Sequence, residues 1–142
     1  MIHFSSENID LPALNYPQVE RWIRAVAAQY NFSVGELNYI FCDDEKILAV
    51  NREFLQHDYY TDIITFDYTE ENVINGELYI SIDTVRANAQ EYGQSFPDEL
   101  HRVIIHGILH LCGLDDHCEE DIKEMREAEN LSLEKLSVIL NK

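Results

Sequence analysis

The chain has 142 residues, 46% of them hydrophobic and 26% charged, ordinary values for a single globular domain that folds without disulfide or metal staples. Ten Lys and Arg against 27 Asp and Glu give a formal net charge of −17, so the average surface repels polyanions and nonspecific nucleic-acid binding is disfavoured. No run of about 18 apolar residues exists, which excludes a transmembrane helix and leaves no membrane partner to expect.

The opening MIHFSSENIDLP has neither the basic start nor the apolar run of a secretory signal, and a cytoplasmic protein is expected. Cys42, Cys112 and Cys118 are odd in number and lack CxxC spacing, the pattern of free, mostly buried thiols.

In chain order, Tyr16-Pro17 opens a helix ending near Asn31, with Val19, Trp22, Ile23, Val26 and Ala27 on one apolar face. Residues 36–42 alternate Leu37, Tyr39 and Phe41 with more polar neighbours, the period of a strand. Asp43 or Asp44 caps a second helix reaching about Leu55, with Ile47, Leu48, Val50 and Phe54 as its core stripe. Residues 63–68 and 77–82 are short, β-branched and aromatic, and Asn75-Gly76 between them predicts an antiparallel hairpin turning at that pair. Asp83 or Thr84 caps a third helix ending at Gly93, and Pro97 starts a fourth ending at Gly113.

The last helix, from about Glu119 to Leu140, shows core spacing at Ile122, Met125, Leu131, Leu133, Leu136 and Ile139, with acidic residues on its other face. Residues 115–134 hold nine Asp or Glu against only Lys123 and Arg126. Such a run is either a solvated helix face or a docking surface for a basic partner. Strands intermixed with helices make this an α+β single domain, a small mixed β-sheet covered by about five helices.

The chemistry concentrates in HGILHLCGLDDH, residues 106–117. At about 100° and 1.5 Å per residue, His106 and His110 lie roughly 40° apart around the axis and about 6 Å along it, within reach of one ion. Gly113 lets the chain turn back, so that His117 or Asp116 can supply a third ligand and leave the fourth position of a zinc ion to water. Gly107 stands where the zinc-peptidase pattern H-E-x-x-H carries its general base, which argues against peptidase chemistry. It either leaves room beside the metal or permits close helix–sheet packing.

HGILHLCG with Asp116 and His117 resembles the signature of the YbeY family of rRNA maturation factors and endoribonucleases. Leu48-x-x-Asn51, TDIITFDY from Thr61 to Tyr68 and GELYISIDTVRANA from Gly76 to Ala89 resemble, in order, further family segments. The resemblance implies a central mixed sheet of about four strands, one Zn2+ per chain bound by three histidines, and cleavage of single-stranded RNA during rRNA maturation in ribosome assembly. Two positions depart from the pattern. The family's third histidine falls at Asp116, with the histidine of this chain one place later at His117, and the family's arginine four residues after Asn51 is Leu55 here.

Asp62, the better match to the motif, and Asp115 or Asp116 beside the metal are the candidates for a general base. Arg86, which matches a family arginine, and His57 are candidates for substrate binding, and Tyr59 and Tyr60 could stack bases. The partners implied are rRNA and the small ribosomal subunit, with the acidic end meeting a basic ribosomal protein. Two other readings stand beside this one: a zinc hydrolase of a small amide or ester, and a non-enzymatic assembly factor whose metal is structural.

Overall fold

The structure, a computed structural model, describes residues 1–55, 61–115 and 118–140, with Leu140 described by its backbone alone. Its first element, β1 (Ile2–Ser6), has no counterpart among the predicted strands. Within these five residues only Ile2 is fully buried, too little pattern to mark a strand. The segment becomes one because β2 (Ser33–Cys42) offers it a parallel edge, in register from Ile2 opposite Leu37 to Ser6 opposite Phe41.

The predicted first helix is α1 (Tyr16–Gln29), capped by Asn15 and closed by Asn31 at φ +68°. All five of its predicted core residues are buried. β2 begins three residues earlier than the alternation suggests and is buried on both faces toward its end, where Ile40 and Cys42 join Leu37, Tyr39 and Phe41. Asp43 accepts from Lys46 N at 2.9 Å to start α2 (Asp44–Phe54), in which Ile47 and Val50 are buried while Phe54 lies exposed against Phe66.

The antiparallel pair is present as β3 (Ile63–Asp67) and β4 (Val73–Ser81), but its turn is not at Asn75-Gly76. Those two residues lie inside β4, and the chain reverses around Glu71, at φ +52°, where Glu70 and Val73 exchange backbone hydrogen bonds. Asn75 instead serves the neighbouring strand. Its Oδ1 accepts from Glu36 N at 2.8 Å, at the irregularity in the β2–β4 register. Gly76 brings the hairpin backbones close, since a Cβ there would stand 2.6 Å from the Phe66 carbonyl oxygen. The sheet order is β1-β2-β4-β3, with the first two pairings parallel and the last antiparallel.

Ser81, rather than Asp83 or Thr84, caps α3 (Ile82–Glu91): its Oγ accepts from Thr84 N while donating to Asp44 Oδ1 at 2.6 Å. Ser95 caps α4 (Phe96–Leu111), with Pro97 in its first turn. α4 and α5 (Glu119–Leu140) are the predicted last two helices. α2 covers one sheet face over Cys42 and Ile64; α1 and α4 cover the other, and α5 packs on α4 and α1. Tyr39 Oη donates to the Ile104 carbonyl at 3.0 Å, tying sheet to α4, and Trp22 Nε1 donates to the Ser132 carbonyl at 2.7 Å, tying α1 to α5.

The stripe of α5 differs from the expected one. Met125, Ala128 and Leu136 are buried with the polar Glu129 and Ser132, whereas Ile122 and Leu131 are exposed. The cysteines are free, as expected, but only Cys42 is fully buried and Cys118 is exposed. Among the described residues no helix is long and apolar enough to cross a membrane.

Replacing Gly76 with alanine forces a methyl group into the backbone of the paired strand, which cannot yield as a side-chain tip would. The expected loss is about 1–3 kcal/mol, the usual range for overpacking, read as a lower urea midpoint at unchanged slope.

Candidate metal centre

One stripe of α4 carries polar groups at helical spacing: Glu99, Arg102, His106 and His110. The opposite side of the same helix is apolar and fixes its rotation. Ile104, Ile105, Ile108 and Leu109 are buried, and Gly107 lies where a Cβ would collide with the Leu78 side chain and stand 3.0 Å from Ile63 Cδ1. Close helix–sheet packing therefore accounts for Gly107. After Leu111 the helix stops in a Schellman motif, with Gly113 at φ +103°, Gly113 N on the His110 carbonyl and Leu114 N on the Leu109 carbonyl.

His106 and His110 thus stand one turn apart, both partly exposed. Asp116 and His117, the alternative third ligands, lie outside the described residues, as do His57, Tyr59 and Tyr60. Among the described residues no group of three or more His, Cys, Asp or Glu could hold a metal ion. The two imidazoles fit the donor chemistry of zinc as half of a tetrahedral set. A carboxylate also holds the Nδ1 side of the His106 ring, so coordination would fall to Nε2.

That carboxylate is Glu129 of α5, 5% exposed, with Oε2 at 2.8 Å from His106 Nδ1. Its Oε1 accepts from Arg102 Nη1 at 2.9 Å and pairs with Arg126 Nη1 at 3.5 Å, while Arg102 Nη2 donates to Asn130 Oδ1 at 2.8 Å. Burial alone would raise the proton affinity of Glu129. The hydrogen bonds from His106 and Arg102, with the nearby positive charges, outweigh it and hold the carboxyl below its usual range.

His106, Glu129, Arg102 and Arg126 line a cavity of about 300 Å³ that also holds Asp62 and Glu99. Asp62 is set at the head of β3, where its carbonyl accepts from Ser81 N at 2.9 Å. Burial pushes its carboxyl above the ordinary carboxylate range, against the opposing charge of His106 and hydrogen bonds from the backbone of Asp62 and Ile63. Glu99 is raised in the same way, foremost by burial, with Arg102 opposing and the charge of Asp62 adding to it. Two carboxyls that hold protons more tightly than usual therefore share the cavity with His106, Glu99 from α4 and Asp62 from the head of β3.

Arg86 is placed elsewhere: its guanidinium stacks 4.2 Å above the Phe96 ring and is not among the groups lining this cavity. Leu55, at the family's arginine position, is the exposed C-cap of α2. Glu129, Arg102, Arg126 and Glu99 had not been singled out from sequence. Glu129 does leave a trace there, being four residues after Met125 and seven before Leu136, a charged residue on the buried stripe of an amphipathic helix. Arg102 likewise precedes His106 by one turn.

Residues 1–137 match the family model described as endoribonuclease YbeY. Curated relatives called endoribonuclease YbeY include one from Parabacteroides distasonis, 56% identical and covering 93% of each chain. Another, from Bacteroides thetaiotaomicron, is 52% identical over 93% of this chain and 96% of its own. A solution structure of a Thermotoga maritima protein superposes with a TM-score of 0.68 at 30% identity, over 96% of this chain and 89% of that one.

The raised Asp62 carboxyl has a consequence for stability. A carboxyl whose folded pKa lies above the unfolded value of 3.8 contributes stability below that pH and loses it as pH rises through the folded pKa. With chelator present, Asp62→Asn is therefore expected to melt at a higher temperature than wild type at neutral pH, with the difference vanishing as pH falls to the acid side of the carboxylate range.

Proposed function

This chain belongs to the endoribonuclease YbeY family, and we propose that it cleaves single-stranded RNA at a zinc held by His106, His110 and one of His117 or Asp116, in the maturation of rRNA. The observation that carries the zinc assignment is the pair of imidazoles one turn apart on α4, the first of them oriented by a buried carboxylate. Relatives named for RNA cleavage over nearly their whole length support a nuclease over a small-amide hydrolase or a non-enzymatic scaffold.

A zinc ion so bound supplies Lewis acidity, polarising a phosphoryl oxygen or lowering the pKa of water. The chain's own groups supply the rest. Asp62, whose buried carboxyl has a heightened affinity for a proton beside His106, takes the proton from the attacking hydroxyl, as a general base must. Arg102 and Arg126 keep positive charge in the cavity but spend it on Glu129, so the cavity is close to neutral locally despite the net charge of −17. That balance lets a phosphodiester approach a surface whose average field repels it.

Arg86, which stacks on Phe96 outside the cavity, is assigned to the substrate path, and His57 is kept as a substrate-binding candidate from its sequence position. With so acidic a surface, delivery of rRNA by a small-subunit ribosomal protein of basic character, meeting the acidic face of α5, explains access better than direct capture. The setting for this work is the cytoplasm.

Metal content, measured on wild type, His106→Ala, Asp116→Ala and His117→Ala at matched circular dichroism, tests the assignment. One zinc per chain is expected in wild type, lost in His106→Ala and in one of the other two variants. RNA cleavage is expected to stop with chelator and to fall by at least about 100-fold in Asp62→Ala with metal retained; undiminished cleavage there removes Asp62 from the mechanism.

A further inference from the structure

We propose that Glu129 is the positioning residue of the metal centre, its carboxylate holding the Nδ1–H of His106 and thereby presenting Nε2 as the ligand atom. The inference rests on the zinc reading above and extends it to a residue on a different helix, which would act on the metal through His106.

Three observations carry it. The Nδ1 to Oε2 separation of 2.8 Å is that of a charge-assisted hydrogen bond. The carboxylate is fixed independently of the histidine, because Arg102 at 2.9 Å and Arg126 at 3.5 Å hold its other oxygen. Finally, Glu129 is 5% exposed on the stripe of α5 that packs against α4, a costly place for a carboxylate unless several donors meet it there.

The chemistry follows from the two ring nitrogens. An unconstrained neutral imidazole keeps its proton mostly on Nε2, and such a ring must move that proton before Nε2 can donate a lone pair. A carboxylate accepting from Nδ1 holds the proton on the far nitrogen, fixes the ring plane and raises the basicity of the donor. Arg102 and Arg126 then act one step further out, by preventing the carboxylate from rotating away.

A simple ion pair that only joins α4 to α5 would predict lost stability on mutation and nothing more. Metal affinity and the position of the ring proton separate the two roles. In chelator-stripped, 15N-labelled protein near pH 8, where a free imidazole is neutral, His106 of wild type should carry its proton on Nδ1. In Glu129→Ala the proton should shift to Nε2. Zinc affinity, measured by competition with a chelating indicator, should fall about 10-fold in Glu129→Gln, which keeps an acceptor oxygen but no charge, and up to about 100-fold in Glu129→Ala. Circular dichroism confirms that each variant is folded, and Glu129→Gln decides the matter if Glu129→Ala is not. Folded variants that bind zinc as tightly as wild type, or a wild-type His106 already protonated on Nε2, would overturn this inference alone. A wild type that binds no zinc would overturn the metal reading and this inference with it.

Discussion

Helix α4 meets the sheet so closely at Gly107 that a side chain there would have to displace Leu78, and the disposition of the site follows from that contact. Leu78 and Ile63 fill the space a side chain would take, Tyr39 bonds to the Ile104 carbonyl, and the four aliphatic residues around Gly107 are buried against the sheet or the neighbouring helices. With one side of the helix committed in this way, Glu99, Arg102 and His106 line the cavity together with residues of α3 and α5, and His110 follows one turn after His106. Core packing and the placement of the two histidines are consequences of the same helical phase.

The second half of the arrangement comes from α5. Burying a lone carboxylate is costly, and Glu129 is tolerated because two guanidinium groups and an imidazole surround it. Removing Glu129 would leave Arg102 and His106 without their shared acceptor, and removing Arg102 would take from the buried carboxylate its 2.9 Å donor, so these groups act together. Its members come from positions 102, 106, 126 and 129, two helices joined through the turn that follows Gly113. The positive φ of Gly113 ends α4 and so allows α5 to return over the cavity.

Asp62 reaches the same cavity from the sheet side. Its position depends on Ser81, which receives the carbonyl of Asp62 with its backbone N–H and caps α3 with its side chain. One residue thereby registers the start of β3 against the start of α3, and the cavity is closed by elements far apart in the chain. A surface of −17 could not gather RNA by long-range attraction, which places the weight of recognition on contacts at short range.

Local pattern was enough to determine most of the elements. Periodicity marked α1 through α5 and three of the strands, and glycines at 93 and 113 marked two helix ends, because amphipathic spacing and positive φ are properties of short segments. The histidine pair was legible for the same reason, since one helical turn fixes its separation. What the sequence left open was whatever depends on a distant partner. β1 exists only because β2 has a free edge; Asn75-Gly76 is strand rather than turn because Gly76 must lie against Phe66 and Asn75 must serve Glu36. The spacing of Glu129 from Met125 and Leu136 hints at the buried stripe, but its partners are not named until α4 is packed beside it and Arg102 and His106 close around it. Charge compensation across two helices is a tertiary property, and only the folded chain could decide it.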